Sequence, residues 1–445
     1  MSLTRKLSEV RKGYTYFRNE DILFAKITPC MENGKVAIAN DLKNGIGFGS
    51  TEFHVIRLVN ELSRKFLFYY LNRENLRKEA RKNMTGSAGQ LRVPTGFIEE
   101  LQFPIPPLPE QYRIVSKIEE LFTKLDAGVK ALKEIKVQLK RYRQSVLKAA
   151  FEGKLTMAYR EQHKSEMEPA SVLLEHIKQI RIEQARKEGK TPKEFPSINT
   201  SDLPTLPNGW VWTKLGEISS NITKGSTPTS YGYAYTKSGI RFIKTESIDQ
   251  RGNIAGDTDY IDNGTNGFLK RSILQAQDLL FSIAGTIGRV GLVRPRDLPA
   301  NTNQALAIIR CCWEYIDTKY LFRYLKSPSI QVQALKSIVG VGRANVSLTD
   351  LGEFDLPLPP LSEQHQIVSE IECRISVADA IEKAVEQSLE QSDRLRQSVL
   401  KRAFEGRIVP QDPNDEPAEK LLERIVMEKD RHSISHRPGT GGKRI

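Results

Sequence analysis

Cysteine and histidine are scarce in this 445-residue chain, and their placement excludes several kinds of site. The cysteines are too few and too widely spread for a disulfide framework or a zinc site. They are Cys30, Cys311, Cys312 and Cys373. The six histidines form no HxH or HExxH pattern. We therefore expect no bound metal in this chain.

The chain also lacks a long apolar run. No segment approaches the roughly 18 apolar residues that a membrane span needs. The opening sequence MSLTRKLSEVRKGY has no apolar core and so does not resemble a secretory signal. Both absences predict a cytoplasmic protein. Basic residues outnumber acidic ones, 67 to 54, and the resulting net charge of +13 favours a polyanionic partner such as nucleic acid.

Motifs for catalysis are missing as well. The proline pairs Pro106–Pro107 and Pro359–Pro360 follow Ile and Leu, whereas the base-holding motif of adenine methyltransferases needs Asn or Asp there. GVGRAN (Gly340–Asn345) lacks the third glycine of a dinucleotide loop, and GTGGKR (Gly439–Arg444) lacks the spacing and the hydroxyl residue of a phosphate loop. We see no nuclease-like PD…ExK arrangement. We expect no catalytic residues, and a single-chain methyltransferase is excluded on these grounds.

What the chain does contain is an internal duplication. Pro104–Lys154 aligns with Pro357–Arg407 without a gap, and 27 of the 51 positions are identical. Such self-similarity is the mark of a repeated structural unit. After each copy, EPASVLLEHI (Glu168–Ile177) is matched by EPAEKLLERI (Glu416–Ile425), so the segment that follows is duplicated too.

Each copy predicts one long helix that opens with prolines. In the first copy apolar residues recur at alternating steps of four and three, which is typical of a coiled coil. They are Ile114, Ile118, Leu121, Leu125, Leu132, Ile135, Leu139, Tyr142 and Val146. In the second copy they are Ile367, Ile371, Ala378, Ile381, Val385, Leu395 and Val399. The first helix is net basic and the second net acidic, which favours pairing with each other, although separate packing on two domains stays open.

The region before each helix is also repeated. EDILFAKITP (Glu20–Pro29) is similar to QDLLFSIAGT (Gln277–Thr286), and TEFHVIRL (Thr51–Leu58) is similar to NQALAIIR (Asn303–Arg310). Alternating apolar strands broken by Gly, Asn and Pro indicate a compact α+β domain in each half.

Taken together, these motifs resemble the specificity subunit of type I restriction–modification enzymes. The quoted segments are LPNGWVWTKLGE, KGSTP, DLLFSIAGTIGRVG, NTNQALAII, PLPPLSEQHQIV and RQSVLKRAFEGRIV, from Leu206 to Val409. The resemblance covers nearly the whole chain, and the order of the motifs, used twice, is specific. It implies an α+β fold with two target-recognition domains and an antiparallel coiled coil of two long helices, related by a pseudo-two-fold repeat.

The first domain departs from this pattern, because the opening of the second domain, about 60 residues from Leu206 to Phe268, has no counterpart before Thr15. Either the chain is truncated at its start or it is a natural variant that relies on another chain. The expected organisation is a shortened target-recognition domain 1 (1–105), a first long helix (106–155), a charged helical linker (156–205), target-recognition domain 2 (206–357), a second long helix (358–408), and a C-terminal helix with a basic tail (409–445).

DNA recognition requires Lys and Arg at phosphates and Asn, Gln, Arg or Lys at base edges, on loops that approach the duplex closely. In the second domain such residues are Lys224, Gly225, Ser226, Thr227, Arg241, Lys244, Thr245, Thr286, Arg289, Asn301, Asn303, Gln304, Arg343 and Asn345. In the first they are Lys26, Thr28, Asn33, Lys35, Gln90 and Arg92. A simpler interpretation, ordinary turns and caps, stays open for each of them.

The resemblance implies a non-catalytic protein that binds a bipartite, asymmetric site in double-stranded DNA. Its partners would be two methyltransferase subunits and ATP-driven restriction subunits. S-adenosylmethionine, ATP and Mg²⁺ would be bound by those partners and not by this chain. The alternative is a coiled-coil adaptor or structural protein that does not read DNA sequence.

Overall fold

The computed structural model describes residues 6–10, 12–58, 62–87, 89–187, 189, 191–192, 194–201, 203–255, 258–338 and 345–435. Two compact units divide the chain, residues 1–135 with 384–445 and residues 136–383. Arg343, one of the candidate DNA-binding residues, lies outside the described residues. None of the helices in the described part of the chain is long and apolar enough to cross a membrane.

The first unit holds a small α+β domain, which we call domain 1. Its strands are β1 (Thr15–Arg18), β2 (Ile22–Ala25), β3 (Val36–Ile38), β4 (Ile46–Gly49) and β5 (Phe53–Ile56). Its helices are α1 (Leu7–Val10), α2 (Arg64–Leu71), α3 (Glu74–Lys82) and α4 (Thr95–Glu99). The long helix α5 (Leu108–Phe151) follows and continues into the second unit.

The second unit holds domain 2, which is larger. Its strands are β6 (Val211–Lys214), β7 (Ser219–Lys224), β8 (Ile240–Ile243), β9 (Asp259–Ile261), β10 (Leu279–Ser282), β11 (Val290–Leu292), β12 (Ala300–Thr302), β13 (Leu306–Cys311) and β14 (Asp355–Leu358). Its helices are α6 (Met157–Gln162), α7 (Ala170–Lys187), α8 (Leu215–Ile218), α9 (Asn263–Phe268), α10 (Thr318–Leu325), α11 (Pro328–Lys336) and α12 (Leu348–Gly352). A second long helix, α13 (Leu361–Phe404), and then α14 (Ala418–Ser435) complete the fold.

Each domain contains its own sheet, and the strands of the two sheets pair in the same register. In domain 1 the order is β3-β2-β5, with Ile22 opposite both Ile38 and Ile56. In domain 2 the order is β11-β10-β13-β7, with Leu279 opposite Leu292 and Ile309. In domain 1 the apolar residues of these strands face one core, so a one-residue slip would expose them. In domain 2 successive residues of β10 and β13 are buried alternately in two different cores.

A buried ion pair is repeated at the same place in each sheet. Arg57 donates Nε and Nη2 to the carboxylate of Asp21 at 2.8 and 2.7 Å, and Arg310 binds Asp278 in the same way at 2.7 and 2.6 Å. Burial opposes the ionisation of Asp21, but hydrogen bonds from Arg57 and from the backbone N–H of Arg18 outweigh it and lower the pKa of this carboxyl. The duplication therefore extends from the helices into the domain cores.

A glutamine side chain attaches the start of each long helix to the domain that precedes it. The Gln111 side chain accepts from the backbone N–H of Ser63 at 3.0 Å and donates to the carbonyl of Pro106 at 2.9 Å. At the equivalent position, Gln364 accepts from Asp317 at 2.9 Å and donates to Pro359 at 3.0 Å. These two bonds hold the Pro-rich turn against the start of α2 in domain 1 and of α10 in domain 2.

The far end of each long helix packs in the other unit. Phe151, near the end of α5, lies edge-on against Tyr320 and Tyr324 of domain 2, with ring centroids 5.5 and 4.9 Å away. Phe404, near the end of α13, packs on two aromatic rings of α2 in domain 1, tilted against Phe66 at 4.9 Å and edge-on against Tyr70 at 5.2 Å. Within each unit, one helix start and one helix end thus lie side by side.

In each unit, ion pairs join α5 and α13 in the same antiparallel register. In the second unit Arg143 of α5 binds Asp379 and Glu382 of α13 at 2.6 and 2.8 Å. In the first unit Arg396 of α13 binds Asp126 of α5. Arg143 and Arg396 are equivalent in the repeat, as are Asp126 and Asp379, so the two contacts are copies of each other. The predicted antiparallel pairing of the two helices is confirmed.

The apolar seam itself is less regular than predicted. Tyr142, Ile381 and Leu395 are 44%, 43% and 47% exposed. Tyr142 and Leu395 directly precede the arginines that reach across to the opposite helix, and Leu395 lies in an open groove that Leu125 and Leu132 of α5 also line. The seam is therefore partly open to solvent at these residues, beside the ion pairs that cross between the helices.

Phe151 and Phe404 are the aromatic anchors of the two helix ends, and truncating either of them should destabilise one unit only. We expect Phe151→Ala to destabilise the second unit and Phe404→Ala the first, by about 3–5 kcal/mol each, because a packed ring is replaced by a cavity. Hydrogen exchange followed by mass spectrometry measures this unit by unit. Tyr142→Ala, which removes an exposed ring from the same helix, is the matched control. Equal loosening of both units by either anchor variant would contradict the assignment.

Candidate nucleic-acid interface

The loops of domain 2 meet at one end of its four-stranded sheet. β7 ends at Lys224, which lies opposite Ala307 at the start of β13, and β10 ends at Ser282 beside Leu306. The loop after β10 is held by a backbone hydrogen bond from Ile283 to Ala305 at 2.9 Å. We call this edge the second rim, and it comprises residues 224–227, 283–289, 303–305 and 345, the last bridged to Ala284.

Eight of the predicted residues lie on the second rim with side chains that are not buried. They are Lys224, Ser226, Thr227, Thr286, Arg289, Asn303, Gln304 and Asn345. Thr227 donates its hydroxyl to the Gln304 side-chain oxygen, which positions the amide group at the surface. Asn303 caps its own turn by accepting from the Ala305 N–H at 3.1 Å. The rim therefore presents a cation, amides and hydroxyls, which are the groups that contact phosphates and base edges.

Gly225 holds two of these loops against each other. A Cβ at this position would lie 1.9 Å from the carbonyl oxygen of Thr302 and 2.6 Å from that of Asn303. Any side chain would push the end of β7 away from the turn that carries Gln304. The glycine is required by close backbone approach within the protein, and its predicted contact with DNA stays a prediction.

Contacts within the protein engage three of the candidates, Lys244, Thr245 and Arg289. Lys244 forms an ion pair with Asp259 and lies 4.6 Å from the centre of the Tyr235 ring. Burial disfavours the charged form of Lys244, but the hydrogen bond to Asp259 outweighs it and raises the pKa. The guanidinium of Arg289 donates to the carbonyls of Thr245 and Ile248 at 2.9 and 3.2 Å. The bonds of Arg289 join the turn after β8 to the loop after β10.

Two candidates, Asn301 and Arg241, do not lie on the exposed surface of the rim. Asn301 is fully buried; its amide donates to Asn266 at 2.9 Å and to the Leu269 carbonyl at 3.2 Å, and its oxygen accepts from Thr302. Arg241 lies at the opposite end of β8, 3.5 Å from the buried carboxylate of Asp297. The structure gives Asn301 an internal bonding role because every polar atom of its side chain is already used, which leaves nothing for a base edge.

Domain 1 has an equivalent edge, the first rim, formed by residues 26–28, 33–35, 52 and 90–92. The N–H of Lys26 binds the carbonyl of Glu52 at 3.0 Å, Ala25 binds that of Lys35 at 3.0 Å, and Ile27 is bridged to Arg92. The bridge matches the one between Ala284 and Asn345 in domain 2. All six candidates of domain 1 (Lys26, Thr28, Asn33, Lys35, Gln90 and Arg92) lie on this rim.

The first rim carries a carboxylate that the second does not. Arg92 donates Nε and Nη2 to the two oxygens of Glu52, both at 2.8 Å. Hydrogen bonding from Arg92 lowers the pKa of Glu52, so this group stays ionised at neutral pH. The strand register makes Ala305 the equivalent residue on the second rim, one position on from the alignment of TEFHVIRL with NQALAIIR. Sequence reasoning selected Arg92 for DNA and missed Glu52, because a bidentate partner 40 positions away leaves no local signal.

An exposed aromatic cluster of domain 2 was missed as well. Phe268 lies 5.2 Å from the ring centre of Tyr231 and 5.1 Å from that of Tyr233, while Tyr231 and Phe268 are 54% and 52% exposed. Tyr231 ends the turn that begins after Thr227. Exposed aromatic rings stack readily on flat apolar groups. No cluster of three or more metal-ligating side chains occurs among the residues that the structure describes.

Comparison with known proteins identifies one matching family and several similar proteins. The family described as "Type I restriction modification DNA specificity domain" matches residues 2–139 and 207–391. The EcoAI specificity subunit of Escherichia coli is 32% identical over 426 residues, which cover 83% of this chain and 69% of the relative. The EcoEI specificity subunit of the same organism is 29% identical over 430 residues, covering 85% and 71%.

Solved structures share the fold. A chain from a study of complex assembly and conformational transition of the type I restriction–modification system superposes with a TM-score of 0.59 at 21% identity, covering 89% of this chain and 84% of that one. The HsdS subunit from Thermoanaerobacter tengcongensis superposes with a TM-score of 0.50 at 21% identity, covering 88% and 82%.

Releasing Arg92 from Glu52 should strengthen the attraction of the first rim for DNA. We expect Glu52→Gln to raise the affinity for a duplex of arbitrary sequence about three- to tenfold at low salt and to steepen the salt dependence by about one released ion. Fluorescence anisotropy across a salt series measures both. Glu74→Gln, which removes the same charge beside Lys78 on α3, is the control. Identical curves for the two variants would show that the first rim has no special contact with DNA.

Proposed function

Because the chain belongs to the type I restriction–modification DNA specificity family, we propose that its two rims each read one part of a bipartite, asymmetric sequence in double-stranded DNA. The observation that carries this proposal is the equivalence of the rims. The same backbone bridge and the same strand register support loops with different side chains in the two domains. Different loops on equivalent frames would recognise different base sequences.

Phosphates and base edges require different groups, and the second rim offers both. Lys224 has no ion-pair partner among the described residues and would neutralise a backbone phosphate. Gln304 and Asn345 carry amides, which bind adenine edges well because they donate and accept side by side. Asp259 already neutralises Lys244, so that residue would contribute less.

The helix pair would set the gap between the two sequences that are read. Its register is fixed by the copied arginine–aspartate pairs and by the aromatic anchors. An α-helix rises about 1.5 Å per residue, so the length of the pair would convert directly into a number of base pairs. The spacer of the target would then depend on helix length and not on the rim residues.

Two methyltransferase subunits would dock on the repeated helix ends, Arg143–Gly153 and Arg396–Gly406. Both ends keep a solvent-facing side, where Lys148 and Lys401 are 72% and 66% exposed. Equivalent surfaces present in two copies suit two copies of one partner. Restriction subunits would complete the complex. S-adenosylmethionine, ATP and Mg²⁺ would be held by these partners, and this chain would contribute recognition without catalysis.

Substitutions on the second rim test the reading role. In complex with the methyltransferase partner, Gln304→Ala should reduce discrimination at one base position, by about 1–3 kcal/mol, while Lys224→Ala should weaken binding to every sequence and lower the salt slope by about one. Binding to a randomised duplex library, followed by sequencing, separates the two effects.

The control for these variants is Lys319→Ala, which removes a cation of domain 2 that is paired with Glu372 of α13 at 3.1 Å. It should leave the recognised sequence unchanged. A preference that is the same in all three variants would contradict the proposed role of the second rim.

A further inference from the structure

The exposed aromatic cluster of domain 2, formed by Tyr231, Tyr233 and Phe268, has no role in the contacts described so far. The Phe268 ring contacts both tyrosines, so the three side chains form one apolar surface. Single exposed rings are common on proteins, whereas contiguous apolar groups mark sites of interaction. The position of this cluster in the fold and the charges around it indicate what binds there.

Asn301 fixes the position of Phe268 relative to the second rim. Its buried amide donates to the side chain of Asn266 and to the carbonyl of Leu269, which flank Phe268 in the chain. Leu269 is buried in a core with Phe242, which leaves the neighbouring ring of Phe268 on the outside. Because Asn301 lies two residues before a rim segment, the same side chain connects the aromatic cluster to the rim.

The loop that carries Tyr231 is a direct continuation of the rim. A short turn begins at Pro228, immediately after Thr227, whose hydroxyl binds the Gln304 side chain. The turn is held by a hydrogen bond from the Tyr233 N–H to the Pro228 carbonyl at 3.2 Å. The aromatic cluster and the Gln304 amide therefore belong to one continuous surface.

The charges beside the cluster favour a polyanion. Lys270 and Arg271 follow Phe268 closely in the chain, both are exposed, and neither forms an ion pair within the described part of the protein. Lys224 lies on the rim before the turn that carries Tyr231. Cations next to exposed rings suit a partner that carries phosphates, so a DNA duplex fits this surface better than another protein does.

The shape of the cluster indicates which part of a duplex it contacts. In an intact duplex the base faces are stacked, and the apolar group that a base edge presents in the major groove is the C5-methyl of thymine. An aromatic wedge would have to open a base step. Here the rings pack against each other at interplanar angles of 61° and 41°, which makes the cluster too thick for such a step.

We propose that Tyr231 and Phe268 recognise a thymine through its methyl group, at or next to the base pair that Gln304 reads. This inference rests on the proposed function of the second rim and adds a specificity determinant to it. Gln304 supplies hydrogen bonds to an adenine edge, and the aromatic cluster supplies an apolar contact that cytosine cannot satisfy.

Deoxyuridine is the probe, because it removes the methyl group of thymine and keeps all of its hydrogen-bonding groups. Each thymine of the second half-site is replaced in turn, and binding is measured with the chain in complex with the methyltransferase partner. At one thymine the replacement should weaken binding about fourfold, which is the change expected for one buried methyl group. At the other thymines the affinity should stay the same.

Variants of the cluster connect this effect to the rings. Phe268→Ala and Tyr231→Ala remove exposed rings and should leave the fold intact, and either variant should bind the thymine and uracil duplexes equally. Tyr231→Phe keeps the ring and should keep the fourfold preference. The matched control is Tyr112→Ala, which removes a ring of α5 that is 58% exposed and should also keep the preference.

Equal binding of all the duplexes by the unmodified chain, a second half-site without thymine, or a preference that survives in both alanine variants would overturn the inference. So would weaker association of Phe268→Ala with the methyltransferase partner at an unchanged base preference, since the cluster would then be a protein-docking surface. Lost discrimination in Gln304→Ala together with equal binding of the uracil duplexes would overturn the methyl contact alone. Full discrimination in Gln304→Ala would overturn the proposed function of the rim.

Discussion

The packing of each long helix against two sets of partners is the constraint on which the rest of the structure depends. Most of the stability of a helix in a protein comes from the packing of its apolar face, so each long helix depends on what it packs against. Here a glutamine attaches the start of each helix to one domain, and a phenylalanine anchors its end among aromatic rings. Each unit therefore requires both helices to be complete.

Much of this arrangement follows from the sequence alone. The gapless repeat predicted two equivalent helices, and the charge imbalance between them predicted that they pair. The equivalences hold down to single contacts, as in the buried pairs Asp21–Arg57 and Asp278–Arg310. What periodicity did not predict is where ion pairs cross between the helices beside the seam, because Arg143 and Arg396 bind across only when the partner helix places an aspartate opposite them.

The sequence predicted which residue types form the candidate interface better than it predicted which of their side chains are exposed there. Residue chemistry identified most of the loops that meet at the two rims, since glycines, amides and cations cluster there in the sequence. It did not separate Gln304, which is exposed, from Asn301, whose side chain is buried and fully bonded. That difference arises from strand pairing across distant segments. The same holds for Glu52, whose effect on Arg92 depends on a loop brought close by the sheet.

The two rims lie on equivalent domains, and the helix pair connects these domains. The gap between the two half-sites should therefore be set separately from the base sequences that the rims read. Inserting one heptad after Glu134 and one after Gln387, at equivalent points of the two helices, tests this separation most directly. The helix pair lengthens by about 10 Å, so the gap in the recognised site should widen by about 3 base pairs while both half-sites stay the same. An unchanged gap, or altered half-sites, would contradict the account.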